Sequence, residues 1–179
     1  MSPKAKRVYD SVELTARKRY QDGWQLMASY VWSKLEGNYD GTFQVSTGQL
    51  DPNINSAYDY ADFLVNADGK LSNDRTHFLK FDGSYEVQKG PAMGLSFGGG
   101  VHIASGFPLN AYGYSVAYNN WEYYLMPRGS LGRGPWDYEA DIHVAYPMTL
   151  GRSMKLEPIL DIFNVLNRQA IRMYDQPTT

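Results

Sequence analysis

The residues of this chain that could do chemistry are few, and their spacing decides how they read. Asp137, Glu139, Asp141 and His143 recur at every second position. In an extended strand all four would stand on one face, an oxygen-rich row of the kind that holds a hard cation. Strand periodicity alone produces the same row, however, and a plain polar strand face is the simpler reading. His77, His102 and His143 lie far from one another in sequence, without the short-spaced partner of a zinc site. There is no cysteine, which excludes disulfides and thiolate metal sites. Gly129-Ser130-Leu131-Gly132-Arg133-Gly134 lacks the Gly-Lys-Ser/Thr ending of a phosphate loop and runs into a strand-like segment rather than a helix. Asn66-Ala67-Asp68-Gly69-Lys70 opens like a calcium loop but has no downstream glutamate, so it reads as a turn. No Gly-x-Ser-x-Gly elbow is present. The expectation is a chain that is not an enzyme, with no catalytic residue, metal or cofactor.

Aromatic side chains are the remaining candidates. They cluster in two long segments without alternation: Tyr39, Phe43, Tyr58, Tyr60 and Phe63 in the first, and Tyr112, Tyr114, Tyr118, Trp121, Tyr123 and Tyr124 in the second. Tyr and Trp offer rigid, amphipathic contact surfaces to sugars, peptides or chelates. Tyr58, Tyr60, Tyr112, Trp121, Tyr123 and Tyr124 are therefore the expected ligand contacts. The competing reading is that these rings pack the two segments against each other.

Those two segments must be positioned by strands, because period-2 alternation is the dominant pattern along the chain. Six stretches show it, near 8–19, 24–34, 75–87, 93–105, 135–147 and 154–165. One face carries Val12, Leu14 and Ala16, then Trp24, Leu26, Ala28, Tyr30 and Trp32, then Leu79, Phe81, Gly83 and Tyr85. It continues with Phe97, Val101 and Ile103, with Tyr138, Ile142 and Val144, and with Leu156, Leu160 and Ile162. The other face carries Glu13, Arg17, Lys80, Asp82, Glu86, Asp137, Glu139, Asp141 and Glu157. So many charges cannot line a dry core, since burying them unpaired is prohibitive. They need a wet lumen or a polar plug. Trp24, Tyr85 and Tyr146 fall at one end of the apolar face and Tyr30, Trp32, Trp136 and Tyr138 at the other, two aromatic girdles about an uncharged band. The connections alternate between short turns, such as Gln21-Asp22-Gly23, and long loops at about 34–74 and 106–134. Membrane barrels use that alternation, with short turns toward the periplasm and long loops outside.

The bulk properties agree. Fifteen tyrosines, four tryptophans and seventeen glycines without low complexity suit a barrel with one greasy and one wet face. The formal net charge of −2 gives no reason to expect a nucleic-acid partner. No apolar stretch approaches the roughly 18 residues of a spanning helix. The predicted fold is all-β: an antiparallel up-and-down meander of six or seven long strands, part of a transmembrane β-barrel. Residues 1–179 are expected to be partial barrel throughout, with no plug domain and no signal peptide.

With the strands placed, the wording of the segments becomes recognisable. Tyr9-Asp10-Ser11-Val12-Glu13-Leu14 with Gly23-Trp24, and then Ala28-Ser29-Tyr30-Val31-Trp32-Ser33-Lys34, resembles a barrel hairpin of TonB-dependent receptors. Asn73-Asp74-Arg75-Thr76-His77 resembles the opening of the next hairpin. Ser105-Gly106-Phe107-Pro108 resembles the point where a strand leaves the membrane, and Arg128 to Trp136 its return. Leu160-Asp161-Ile162-Phe163-Asn164-Val165-Leu166-Asn167-Arg168 is similar to the strand motif ending in Phe-Asn-x-x-Asn. The wording is closest to the branch that bears a carboxypeptidase-regulatory-like domain. The resemblance implies a bacterial outer-membrane location and a receptor that binds and imports an extracellular ligand. The implied partners are outer-membrane lipid, the remaining barrel strands and plug, and TonB, reached only through an N-terminal part outside this sequence. Two alternatives compete with it: a small autonomous membrane barrel acting as adhesin or anchor, and a soluble lipocalin-like barrel. The lipocalin needs an apolar interior, and here the face without girdles is charged.

Overall fold

Alternating side chains make each stretch a two-faced strand, and pairing then depends on register, because a slip of one residue would turn the apolar set to the wrong side. The computed structural model describes residues 4–41, 43–44, 49–50, 58–117, 119–151 and 153–169. Its strands are β1 (Arg7–Gln21), β2 (Trp24–Gly37), β3 (Phe43–Gln44), β4 (Gln49–Leu50), β5 (Gly69–Lys70), β6 (His77–Glu86), β7 (Ser96–Ala104), β8 (Tyr112–Ser115), β9 (Asn120–Tyr124), β10 (Asp137–Ala145), β11 (Met148–Leu150), β12 (Met154–Leu156) and β13 (Ile159–Ile162). The principal sheet runs β1-β2-β6-β7-β10-β13, with β5 added beside β2. All its pairings are antiparallel. This is the expected meander.

The registers align the apolar faces across the whole sheet. Leu14 lies opposite Tyr30, Tyr30 opposite Leu79, Leu79 opposite Ile103, and Ile103 opposite Tyr138. Two residues further, Ala16, Ala28, Phe81, Val101 and Ala140 form the next row. Trp24, Tyr85, Phe97, Val144 and Leu160 close the apolar band at the short-turn end. On the opposite face Ser29, Lys80, His102 and Glu139 are aligned, as are Met27, Asp82, Gly100 and Asp141. Leu14 remains 63% exposed and Leu160 57%. The apolar face therefore covers no protein core, and lipid is the medium that suits it.

The sixth strand departs from the continuous segment expected at 154–165. It is split into β12 and β13 at Glu157-Pro158, opposite a break between β10 and β11 at Tyr146-Pro147. The register does not slip through the gap: Ala145 faces Ile159 before it and Met148 faces Leu156 after it. Proline has no amide hydrogen, so two prolines almost opposite each other remove ladder bonds without changing the alignment. Tyr146 N bridges the gap, donating to Pro158 O at 3.1 Å. Arg152 lies outside the described residues.

Beyond β13, Val165 N donates to Ala140 O at 2.8 Å, which is one residue out of step with Ile162 facing Ile142. The extra residue is a bulge at Asn164, held at φ 49. Its amide donates to the Asp141 carboxylate at 2.8 Å, and its side chain bonds both the amide and the carbonyl of Arg168 at 2.9 Å. The Phe-Asn-x-x-Asn wording thus encodes a bulge and turn, with Asn167 also at positive φ. Asn164→Ala should lose about 1–2 kcal/mol from the left-handed conformation alone, and Asn164→Gly clearly less. Urea midpoints of the folded protein in detergent, read by heat-modifiable gel mobility, check this ordering.

Among the described residues, the compact core sits in the long connections, where Leu35, Phe63, Ala67, Leu71 and Ala111 are buried together with Ser72, Asp74, Asn110 and Arg128. These connections carry secondary structure of their own: the β3–β4 and β8–β9 hairpins and a 3-10 turn, Ala61–Leu64.

Candidate functional site

Two arginines from the second long loop reach into the first. Arg128 pairs with Asp40 and donates to Ser72 Oγ at 3.1 Å, with its side chain only 2% exposed. Arg133 pairs with Asp74 and donates to Thr76 Oγ1 at 2.6 Å and to the Gly106 carbonyl at 3.0 Å. Asp74, 1% exposed, accepts the Leu35 amide at 2.7 Å as well. The guanidinium fork suits this task because it stays charged and spreads several donors over a carboxylate, a hydroxyl and a carbonyl. Gly106 allows the final approach, since a Cβ there would fall on the Gly134 carbonyl. The glycine-rich run from Gly129 to Gly134 is accordingly a loop junction, with Gly129 N donating to Asn110 Oδ1 at 2.7 Å. Arg128 and Arg133 were not singled out as functional from the sequence. Their signal was present in the strand-return wording, and Asp74, the partner of Arg133, lies in the strand-opening wording.

The aromatic rings divide between support and surface. Tyr112 and Tyr124 pack on each other at 5.1 Å, with the Arg128 guanidinium 4.9 Å from the Tyr124 ring. Burial pushes the Tyr112 hydroxyl up and the Tyr124 hydroxyl well above its ordinary range. Phe63, 3% exposed, is flanked by Tyr60 at 5.4 Å and Tyr123 at 5.0 Å, and Tyr60 itself is 51% exposed. Tyr58 donates to Asn38 Oδ1 at 2.8 Å and stands 6.2 Å from Tyr39. Trp121 lies on β9 opposite Tyr114. The side chains of Trp121 and Phe43, and the whole of Tyr118, lie outside what the structure describes. A raised tyrosine pKa means the folded state holds its proton more tightly, so the associated stability is complete below about pH 10 and declines above it. In a 295 nm absorbance titration, Tyr112 and Tyr124 should ionise after the exposed tyrosines, and only as the loops open.

Beneath the clamped loops a cleft of about 390 Å³ opens on the charged face of the sheet, lined by Tyr9, Val31, Leu35, Arg75, Phe78 and Phe107 among others. The Arg75 guanidinium lies 3.9 Å from the Phe107 ring centre, and it is tied to Asp137 at 3.6 Å and the Ser105 carbonyl at 3.1 Å. Sequence reasoning missed Tyr9, Phe78 and Phe107. The hint was the Val31–Phe78 pair, apolar at polar parity. The face is thus aromatic at the long-loop end and charged farther in. There the carboxylates and histidines are used locally: His143 Nδ1 is 2.6 Å from Asp161, His102 is 3.9 Å from Asp82, and Asp141 caps the Asn164 bulge. Asp137, Glu139, Asp141 and His143 do share a face, but no cluster among the described residues could hold a metal ion.

A sheet greasy on one face, charged on the other and capped at one end by long loops is the wall of a membrane barrel. The family model for an outer membrane beta barrel domain matches residues 1–119. The chain belongs to the outer membrane β-barrel family. This barrel segment resides in the bacterial outer membrane, where its apolar face suits lipid and its charged face suits a hydrated lumen. It is 38% identical over 177 residues, 99% of its length, to the TonB-dependent transporter Oar of Myxococcus xanthus. That likeness agrees with the resemblance to TonB-dependent receptors read in its wording. It spans 17% of the length of that relative. No solved structure matches it.

Proposed function

We propose that this segment forms part of the wall and outer mouth of a TonB-dependent importer, where it helps capture an extracellular ligand and pass it along a polar lumen. The aromatic cleft under the clamped loops carries the reading, supported by the likeness to a TonB-dependent transporter. Tyr58, Tyr60, Trp121 and Tyr123 are the proposed outer contacts. Tyr112 and Tyr124 shape the loop around them, and Tyr9, Phe78 and Phe107 receive the ligand below. Apolar rings at the mouth and charges deeper in give a ligand a place to dwell before it meets a hydrated path. The remaining strands, the plug and the TonB contact belong to the rest of the importer, and no step of the reading requires catalysis or a cofactor.

The test works with an unidentified ligand. Cells expressing the full-length protein are incubated in complex medium, and depletion of its components is followed by mass spectrometry. A component should be depleted by wild-type cells, and not by cells treated with a protonophore. The Tyr60→Ala/Tyr123→Ala variant and Phe107→Ala should each slow its depletion at least several-fold, with surface expression unchanged. Identical profiles for wild-type and variant cells would refute the reading.

A further inference from the structure

The lipid-facing surface is not uniformly convex. Gly83 and Gly99 are directly paired between β6 and β7 on the apolar face. Leu26, Phe81, Tyr85, Phe97 and Ile142 stand around them and leave a groove of about 630 Å³. The backbone does not demand glycine at position 83. Its φ is not positive, and a Cβ there would meet Gln25 O and the Leu26 Cδ1 methyl at 3.4 Å, an ordinary contact. A side chain would fit at position 83 and would fill the groove, whereas at position 99 a Cβ would press on the Asp141 carbonyl at 3.0 Å, so the backbone calls for glycine at 99 and leaves the groove open by choice of residue at 83.

A cation is fixed beside this groove. Lys18 has lipid-face parity and pairs with Leu26. Its Nζ lies 4.0 Å from the Trp24 ring centre and donates to the carbonyls of Gln21 at 2.9 Å, Trp24 at 3.2 Å and Arg19 at 3.4 Å. It forms no ion pair among the described residues. The side chain thus bends toward the periplasmic turn and holds an unneutralised ammonium in the aromatic girdle, at headgroup depth. An apolar groove within the hydrocarbon band, continuous with the lipid-covered face and bordered on the periplasmic side by a positive charge, is complementary to an anionic headgroup carrying a hydrocarbon tail.

We propose that this groove binds one glycerophospholipid of the periplasmic leaflet, its acyl chain lying over Gly83 and Gly99 and its phosphate drawn to the Lys18 charge, displacing the long contact to the Arg19 carbonyl. The site rests on the outer-membrane location and not on the import reading, so either stands if the other fails.

The test uses the full-length protein that carries this segment, purified in mild detergent and examined by native mass spectrometry. It also uses photolabelling in vesicles containing phosphatidylethanolamine with a diazirine on its acyl chain. One retained phospholipid is expected on the wild type. Gly83→Leu and Lys18→Gln should each reduce retention several-fold, with heat-modifiable mobility showing the barrel intact. Labelling should be concentrated at Phe97 and Ile142 relative to Leu14, which faces lipid away from the groove. If Gly83→Leu fails to assemble, Lys18→Gln and the wild-type labelling pattern decide. Equal retention in all variants, uniform labelling along the apolar face, or a co-purifying lipopolysaccharide or protein in place of phospholipid would each overturn the proposal.

Discussion

Val101→Arg should prevent assembly of the barrel, whereas Ser84→Arg, on the neighbouring strand, should leave it largely intact. Val101 lies in the row Ala28–Phe81–Val101–Ala140, between the girdles and flanked by paired strands on both sides. A cation there must enter hydrocarbon, at a cost of roughly 2–4 kcal/mol near the midplane. That is a large part of a typical folding free energy of about 5–15 kcal/mol. Ser84 has the opposite parity, between Gln25 and Gly98, on the face where charged side chains already stand. The fraction of folded barrel in outer-membrane preparations, scored by heat-modifiable mobility, measures both. Equal damage from the two substitutions would mean that the faces are reversed.

Asp74→Ala should open the outer loops while the strands stay assembled. The substitution strands the Arg133 guanidinium and deprives the Leu35 amide of its acceptor at a site that is 1% exposed. Removing one member of a buried ion pair typically destabilises by about 3–5 kcal/mol. The Arg133–Asp74 clamp ties the two long loops together at one end of the sheet and touches none of the central strand pairs, so the loss falls on local opening and not on the whole sheet. Asp74→Asn, which keeps an acceptor for Leu35, should be milder. The pair Asp74→Leu/Arg133→Met should recover part of the loss, because no orphaned charge remains. Protease added to intact cells should cleave the loops of Asp74→Ala much faster than those of the wild type, with the full-length heat-modifiable band unchanged before cleavage. Resistance equal to the wild type would show that the clamp does not hold the loops.

Most of the strands and their facing are legible along the chain, the prolines that split the sixth excepted. A strand's period is two residues, and a membrane wall must keep one parity free of charge, so the pattern and the structure answer to the same constraint. The alternation of short turns with long connections is also legible, and the structure keeps the long connections together at one end of the sheet. The family wording was legible too, although its physical content was not: Phe163 to Asn167 reads as a motif, and only the register shows that Asn164 is a bulge whose amide is capped by Asp141.

What the tertiary structure alone decided lies where contacts join residues far apart in sequence. Arg128 meets Asp40 across 88 residues, and Arg133 meets Asp74 across 59. No periodicity marks such pairs, because each arises from two loops folding over one mouth. The same closure sorted the loop tyrosines, half-burying Tyr112 and Tyr124 against each other and leaving Tyr60 exposed. It also brought Phe107 from the second loop beside Phe78 and Tyr9 from two strands, which made a cleft from residues that look like exceptions to the alternation. Parity is a local property and can be read along the chain. Which side chains share a site depends on how the long connections close, and that is settled only by packing.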